Sequence, residues 1–302
     1  MDRLDAMAML VSSADEGSLS AAARKLNIPV ATLTRNVNNL EMLVGTKLLI
    51  RTTRKLAFTD AGLEYIATAR RILEDVSELE RRAVGEFTTP RGELVISSPV
   101  QVARLRVLPV INQFLELYPE IRIRLLQSDR IIDLVDMHAD VAIRVGHLRD
   151  SSLIAKRVGS LRVVMVASPA LLDKYGSPKT PEDLHGFPCI VFDSPSLSPW
   201  RYRSQDNGKI CTVDLVPRLL VSSPDAAVDA AINGVGITSV LEHDVYDAIK
   251  AGKLKYVLRS FEAEPVPVHV VFLSRNSMPA KLRSFIDFSV PQLRQLLSRF
   301  GK

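Results

Sequence analysis

Cysteine is nearly missing from this chain of 302 residues: Cys189 and Cys211 stand far apart, in no C-x-x-C spacing. That argues against a disulfide framework or a zinc cluster and fits a reducing compartment. Histidine is equally sparse. His138, His147, His185, His243 and His269 are scattered without metal-ligand spacing, neither cysteine has a local histidine partner, and no G-x-S-x-G elbow occurs. The groups that hydrolytic or metal-assisted catalysis requires are therefore not assembled, and the expectation is a protein that is not an enzyme and carries no cofactor or metal. No apolar run approaches the roughly 18 residues of a membrane span. The opening Met-Asp-Arg-Leu-Asp puts acids where an export signal needs cations, so an unexported, cytoplasmic protein without a membrane partner is expected.

What is present points elsewhere. With 47% hydrophobic and 24% charged residues the composition is that of a globular protein, and the length suits two or three domains. The formal charge of +5 is mild, but it is unevenly placed. Between Arg24 and Lys55 the cations Arg24, Lys25, Arg35, Lys47, Arg51, Arg54 and Lys55 face one acid, Glu41, giving a local charge of +6. An acidic partner for that segment follows.

The same segment has helical periodicity. Leu4, Met7, Ala8 and Val11 form one stripe that ends near Asp15-Glu16-Gly17. Ser18 then caps a second helix over Leu19 to Leu26, and Asn27 suits a left-handed exit. Pro29 opens a third helix, in which Leu33, Val37, Leu40 and Val44 recur at steps of four and three and share a buried face, with Gly45 as its C-cap. The opposite face carries Ala31, Arg35 and Asn38, flanked by Thr32, Thr34 and Asn39. Two helices joined by a short turn, the second presenting hydrogen-bonding side chains, have the layout of a helix-turn-helix.

Lys47–Ile50 and Leu56–Phe58 read as strands around a loop over Arg51–Lys55. This hairpin is a wing in which Arg51, Thr53, Arg54 and Lys55 meet phosphates or the minor groove of double-stranded DNA. Thr59 caps a long helix running to Phe87, about 43 Å at 1.5 Å per residue. Its apolar seam of Leu63, Ile66, Ala69, Leu73, Val76, Leu79 and Ala83 is one that a second copy of the chain, or the chain's own C-terminal part, can cover.

After "FTTPRGE" strands alternate with helices. "ELVISS", "IRIRLLQ" and "VAIRVG" read as strands separated by helices over 100–117 and 131–137. "RVVMVAS", "CIVF", a hairpin turn at Asp206–Lys209, "RLLVSS", "VGITSV", "KLKYVL" and "PVHVVFLS" follow, before a helix from Pro279 to Phe300. The alternation predicts α/β architecture with parallel sheet and a ligand at the strand carboxyl ends. Ser97-Ser98-Pro99 and Ser222-Ser223-Pro224 place hydroxyls at strand ends and helix starts, where N–H groups favour an anion. Ser128 ends another strand. Arg144 faces this cleft or pairs with an acid such as Asp140, and Trp200 walls the pocket or packs in the core.

"GSLSAAARKLNIPVATLTRNVNNLEMLVGTKLLIRTTRKLAFTDAG" resembles the winged helix-turn-helix of LysR-type transcriptional regulators, and the likeness continues over nearly the whole chain. Through "PRGELVISSPV", "DVAIRVGHLRDSSLIAKRVG" and "SPALLDKYGSPKTPEDL" it is similar in particular to the subgroup containing the regulator of meningococcal adhesion genes. The resemblance implies a winged helix-turn-helix domain over 1–58, a linker and dimerisation helix over 59–89, and an effector-binding domain over 90–302 of periplasmic-binding-protein type. Its subdomains would cover about 90–161 with 266–302, and about 162–265, with crossover strands near 160 and 265. DNA contacts are expected from Ser18, Ala31, Thr32, Thr34, Arg35 and Asn38 together with the wing residues. Val30 and Ala31 depart from the polar pair usual at the start of the recognition helix, which shifts direct base contact to Thr34 and Arg35. Effector contacts are expected from Ser98, Val100, Ser128, Arg144, Trp200, Ser222 and Ser223, with a carboxylate or aromatic compound as the effector. Self-association through the linker helix to a homotetramer, and RNA polymerase as a further partner, complete the implied set. A solute-binding protein of similar C-terminal fold, or a sequence-indifferent architectural DNA binder, are the alternatives; the first leaves the basic wing without a use and the second leaves the cleft idle.

Overall fold

The computed structural model describes residues 2–51, 56–83, 89–130, 134, 138–148, 153–193, 199–273 and 278–298, and of residues 51, 78 and 81–83 the backbone only. The chain divides into two compact units, Met1–Thr89 and Pro90–Lys302.

In the first unit three helices, α1 (Arg3–Asp15), α2 (Leu19–Lys25) and α3 (Val30–Val44), precede a hairpin of β1 (Leu49–Arg51) and β2 (Leu56–Phe58) and the long helix α4 (Asp60–Ala83). Asn27 takes the left-handed conformation, φ 53°, as the tight exit from α2 requires. Pro29 is the N-cap of α3, one position earlier than the sequence suggests, with its backbone extended. The core is built from Ala6, Leu10, Ala22, Ala23, Leu33, Val37, Leu40, Leu48 and Ile66. The small alanines of α2 let the helices approach closely, and Ile66 brings the start of α4 into the same core.

The seam expected along α4 is divided. Ile66 and Ala69 are buried, whereas Leu63, Ile72 and Leu79 are exposed. At 100° per residue Leu63 points away from Ile72 and Leu79, so the exposed apolar stripe starts at Ile72, which the sequence reading passed over. Thr59 caps the helix by accepting from the Gly62 amide, 2.9 Å, while its hydroxyl donates to the Lys47 carbonyl, 2.7 Å. Gly62 has its own reason: a Cβ there would lie 2.0 Å from the Leu48 carbonyl oxygen. Thr-Asp-Ala-Gly is therefore a joint between the wing and α4, and more than a helix start.

The second unit holds two five-stranded sheets. From β3 (Gly92–Ser98) the chain enters one long helical run: α5 (Val100–Val102), a π turn (Ala103–Val107) and α6 (Leu108–Leu117). β4 (Ile121–Gln127), β5 (Val141–Val145) and β6 (Leu153–Leu161) complete the strands of this first part. After Arg162 the chain forms β7 (Val163–Ala167), α7 (Pro169–Tyr175), a 3-10 turn (Pro181–Gly186), β8 (Cys189–Phe192), the hairpin β9 (Trp200–Arg203) with β10 (Ile210–Val213), and β11 (Leu219–Val221). α8 (Pro224–Ile232), β12 (Ile237–Leu241), α9 (Glu242–Lys250) and β13 (Lys255–Val257) follow, and β14 (Val266–Leu273) and α10 (Ala280–Leu297) return to the first part.

The strand orders are β4-β3-β5-β14-β6 and β11-β8-β12-β7-β13. Neither sheet is wholly parallel. β3 pairs with β4 and β5 in parallel, and β8 with β11 and β12, but β14 and β7 run antiparallel to both of their neighbours. The expectation of parallel sheet is corrected for those strands: the chain crosses between the sheets twice, at Arg162 and over 258–265, and each crossing delivers a strand of reversed direction. The helix expected over 131–137 lies outside the described residues except for Leu134.

Alternation along β7 shows how the second sheet is buried. Val164 and Val166 feed one core with α8 and α9, while Met165 and Ala167 feed another on the opposite face. The first sheet packs on α6 and α10, with Phe114 and Phe285 edge to face at 5.2 Å.

Candidate nucleic-acid interface and ligand cleft

α3 presents the side chains that its periodicity assigns to solvent. Ala31 and Arg35 are exposed, and Thr32, Thr34 and Asn38 are half-buried along the same helix. Val30, Ala31, Thr34, Arg35, Asn38, Asn39, Met42 and Lys47 line one open depression on this surface. Met42, 72% exposed, was not named in the sequence reading, although at 100° per residue it falls on the same face as Ala31, Arg35 and Asn38. Ser18 caps α2 by accepting from the Ala21 amide, 3.1 Å. Of the wing, β1 and β2 pair antiparallel with Arg51 opposite Leu56; the side chain of Arg51 and all of Thr53, Arg54 and Lys55 lie outside the described residues.

The sequence reading counted Glu41 as a stray acid and Val44 as core. The structure reverses the two: Val44 is 36% exposed and Glu41 only 4%. The cause is hydrogen bonding. Glu41 Oε1 accepts from the Leu48 and Leu49 amides at 2.8 and 3.0 Å, and Oε2 from Lys47 Nζ at 2.7 Å. The carboxylate thus satisfies two buried donors at the point where the wing leaves the core. Burial alone would raise its pKa; the Lys47 ammonium and the two amides outweigh burial and hold it below the ordinary carboxylate value. Glu41 ties the reading helix to the first strand of the wing.

In the second unit, the ends of β3 and β4 meet the start of α5. Ser97 and Ser98 are both buried, and the Ser98 carbonyl accepts from the Ser128 amide at 3.0 Å. Ser97 Oγ accepts from Arg144 Nη1 at 3.3 Å, while Asp140, the acid named for Arg144, accepts from the Val95 amide at 2.9 Å. Ser128 Oγ accepts from the Arg130 amide. Ser98, Val100, Ser128 and Arg144 are thereby brought together.

The anion position at the Val100 amide is taken by the chain itself. Asp129 Oδ1 accepts from Val100 N at 3.2 Å. Burial raises the pKa of Asp129; the Val100 amide opposes this, and Asp244 and Asp225 add to the rise. Arg104, on the π turn, reaches Asp225 at the start of α8 at 3.5 Å and bonds Gln101 at 2.8 Å. That pair joins the layer of the first sheet to the layer of the second. Asp129 was missed although it follows Ser128 directly, because the reading looked for hydroxyls alone.

Ser222 and Ser223 stand at the start of α8: Ser222 is exposed, and Ser223 Oγ accepts from the Ala226 amide at 3.2 Å as an N-cap. Trp200 lies apart from this group. It is 3% exposed, within a cluster of Met165, Leu171, Leu184, Val213 and Ile237. Of the two roles left open for it, the geometry is that of core packing. Cys189 is buried, and burial pushes its thiol up to about 11, where it is inert at neutral pH. No group of three or more His, Cys, Asp or Glu side chains among the described residues could hold a metal ion.

Residues 4–63 match the family of bacterial regulatory helix-turn-helix proteins of lysR type, and residues 88–294 match the LysR substrate binding domain. An HTH-type transcriptional repressor of Pseudomonas aeruginosa is 33% identical over 95% of this chain and 91% of its own length. The transcriptional regulator CrgA of Neisseria meningitidis is 31% identical over 95% and 96%. The meningococcal likeness expected from the sequence is thus among the matches. The solved structure of CrgA superposes with a TM-score of 0.61 over 96% of this chain and 98% of that one, at 31% identity. That of the Vibrio cholerae virulence activator AphB gives 0.63 over 96% and 99%, at 30% identity.

Proposed function

Because the chain belongs to the LysR family of bacterial transcriptional regulators, we propose that it reads duplex promoter DNA with α3 and the β1–β2 wing, and that a small molecule in the cleft of the Pro90–Lys302 unit modulates this binding. The observation that carries the reading is the α3 surface, where Arg35, Thr34 and Asn38 share one depression with Lys47 at the base of the wing. Arg35 is the base reader, through the paired acceptors of a guanine, and Thr34 contacts base or phosphate. Ala31 and Thr32 flank them, the Ser18 cap meets the phosphate backbone, and Arg51, Thr53, Arg54 and Lys55 neutralise phosphates or enter the minor groove.

Self-association uses α4. A stripe with Leu79 67% and Ile72 37% exposed is covered when a second copy packs against it, and a symmetric dimer matches two-fold repeated half-sites. Two such dimers make the tetramer in which effector binding changes the spacing of the DNA-binding pairs and the access of RNA polymerase. The reading is a cytoplasmic regulator and not an enzyme; among the described residues no helix is long and apolar enough to cross a membrane. A carboxylate or aromatic compound remains the effector class proposed, with Ser98, Val100, Ser128 and Arg144 around it and Ser222 and Ser223 opposite. Asp129 adds a condition, since a carboxylate that takes the Val100 amide displaces the chain's own.

The test is retardation of a fragment from the region upstream of the protein's own gene at low ionic strength, followed by footprinting. Arg35→Ala should cost about 1–3 kcal/mol at one operator position and little on random DNA. Equal losses on both would remove Arg35 as a base reader, and no retardation of any upstream fragment would remove the regulator reading.

A further inference from the structure

The two chain crossings between the sheets are chemically joined. The first is Arg162, alone between Leu161 at the end of β6 and Val163 at the start of β7; the second runs from Leu258 to Pro265, between β13 and β14. Arg162 Nη1 donates to Glu242 Oε1 at 3.1 Å, and its Nε donates to Glu262 Oε2 at 3.1 Å, with Nη2 on the same oxygen. Glu262 belongs to the second crossing, while Glu242 opens α9 at the corner after β12. The backbone repeats the bond, since the Glu242 amide donates to the Arg162 carbonyl at 2.9 Å. Tyr256 Oη donates to Glu242 at 3.1 Å, and Arg259 stands 3.8 Å from Glu262 and over the Tyr256 ring at 4.8 Å. Two guanidinium groups thus balance two carboxylates, and the Arg162, Glu242 and Glu262 side chains are each less than a fifth exposed.

Stability alone does not explain such a cluster, because a half-buried ion network is often matched or exceeded by apolar side chains of similar volume. Its geometry does. A planar guanidinium held on two sides fixes direction as well as distance, and here a guanidinium on the first crossing is held by Glu262 of the second crossing and by Glu242 at the start of α9. On the side of the first sheet, Leu161 pairs with Val266, and the β6–β14 ladder shifts register at Val268/His269. On the side of the second sheet Arg162 is tied to α9 through Glu242, and the second crossing is held through Arg162 and by Arg259 over the Tyr256 ring of β13. Bending is thereby confined to the short stretches between the Leu161–Val266 pair and the cluster, and the two crossings have to move together.

We propose that Arg162 is the positioning residue of the hinge: its bonds to Glu242 and Glu262 lock the two crossings into one unit that moves with the second sheet, so that the subdomains have a defined angle without any ligand. The proposal rests on reading the Pro90–Lys302 unit as the effector domain, but its test needs neither effector nor DNA.

Full-length protein with Cys211→Ser, Gln113→Cys on α6 and Lys250→Cys on α9 is labelled with a donor–acceptor dye pair and assembled with an excess of unlabelled protein. The distance distribution within one chain is then read. The parent should give one narrow distance. Arg162→Gln should at least double the width or add a second distance, Glu262→Gln should shift it in the same direction, and Arg162→Lys, which keeps the charge but not the fork, should fall between. Far-UV circular dichroism establishes that each variant is folded. An unchanged distribution in folded Arg162→Gln overturns the proposal; should that variant not fold, an unchanged distribution in Glu262→Gln overturns it equally. Retardation of the upstream fragment, run in parallel, reports separately on the regulator reading.

Discussion

Glu41→Ala sets two physical arguments against each other. On charge alone the substitution removes the one acid of a cationic surface and should tighten binding to a polyanion. On structure it removes the acceptor of two buried amides, those of Leu48 and Leu49. A buried donor without a partner costs about 1–3 kcal/mol. Lys47 stands exposed at the edge of this site, so water can enter and meet one of the two, and about 3 kcal/mol of local stability should be lost. That corresponds to roughly a hundredfold faster opening at the start of β1, at about 1.4 kcal/mol per tenfold. Hydrogen exchange of the full-length protein, followed on peptides covering 46–51, measures it directly. Glu41→Gln keeps one oxygen acceptor and should lose about half as much. Because β1 sets the position of the wing relative to α3, DNA binding should weaken despite the gain in positive charge. The pH dependence follows from the lowered pKa of Glu41: its stabilisation is fully present above the ordinary carboxylate value and is lost as the pH falls through the lower folded value. Unchanged exchange at Leu48 and Leu49, together with tighter DNA binding in Glu41→Ala, would refute the reasoning and leave Glu41 as a surface charge.

Three other outcomes are expected. Arg54→Ala should weaken binding to specific and random DNA alike and reduce the slope of log affinity against log salt by about one, read from retardation over a salt series. Asp129→Asn keeps an acceptor for the Val100 amide and removes the penalty of a raised carboxyl pKa. The native state of the wild type holds its proton more tightly than the unfolded state, so the wild type loses stability as the pH rises above the ordinary carboxylate range, and the variant should gain on it over that interval in denaturant melts. Trp200→Ala should destabilise the second sheet by about 3–5 kcal/mol in denaturant unfolding, while retardation of promoter DNA stays unchanged under native conditions; a loss of ligand response in a protein of unchanged stability would instead put Trp200 back in the pocket wall.

How far the sequence could be read depended on whether a residue obeyed a period. The Leu33, Val37 and Leu40 stripe gave α3 and, by subtraction, the polar surface opposite. "IRIRLLQ" and "CIVF" coincide with β4 and β8, because apolar runs bounded by turns have few other uses. The residue pattern did not mark β6, which only the family resemblance implied as a crossover strand near 160, since Lys156, Arg157 and Gly159 interrupt its pattern, and its pairing with β14 is antiparallel and distant in the chain. Glu41 was misjudged for a related reason: an acid on a buried face is explained only by amides seven and eight positions later, and no local pattern announces them. The meeting of the β3 and β4 ends with the start of α5, where the effector is proposed to bind, was legible as strand ends and serines. Asp129 in the anion position was not, since a hydrogen bond between residues 129 and 100 depends on the parallel pairing of β3 with β4, which orders those two strand ends side by side.

The π turn at Ala103–Val107 has a bearing on how this chain can change length over generations. A π turn packs one more residue into a helical turn than an α-helix would, so the run from Val100 to Leu117 holds a spare position just after the end of β3. Deleting a single codon there lets the turn relax to ordinary winding while Gln101 and Phe114 keep their buried directions. A one-residue gap at this point in the genes of related regulators would therefore mark a straightened helix, and the departure of Arg104 from its place opposite Asp225.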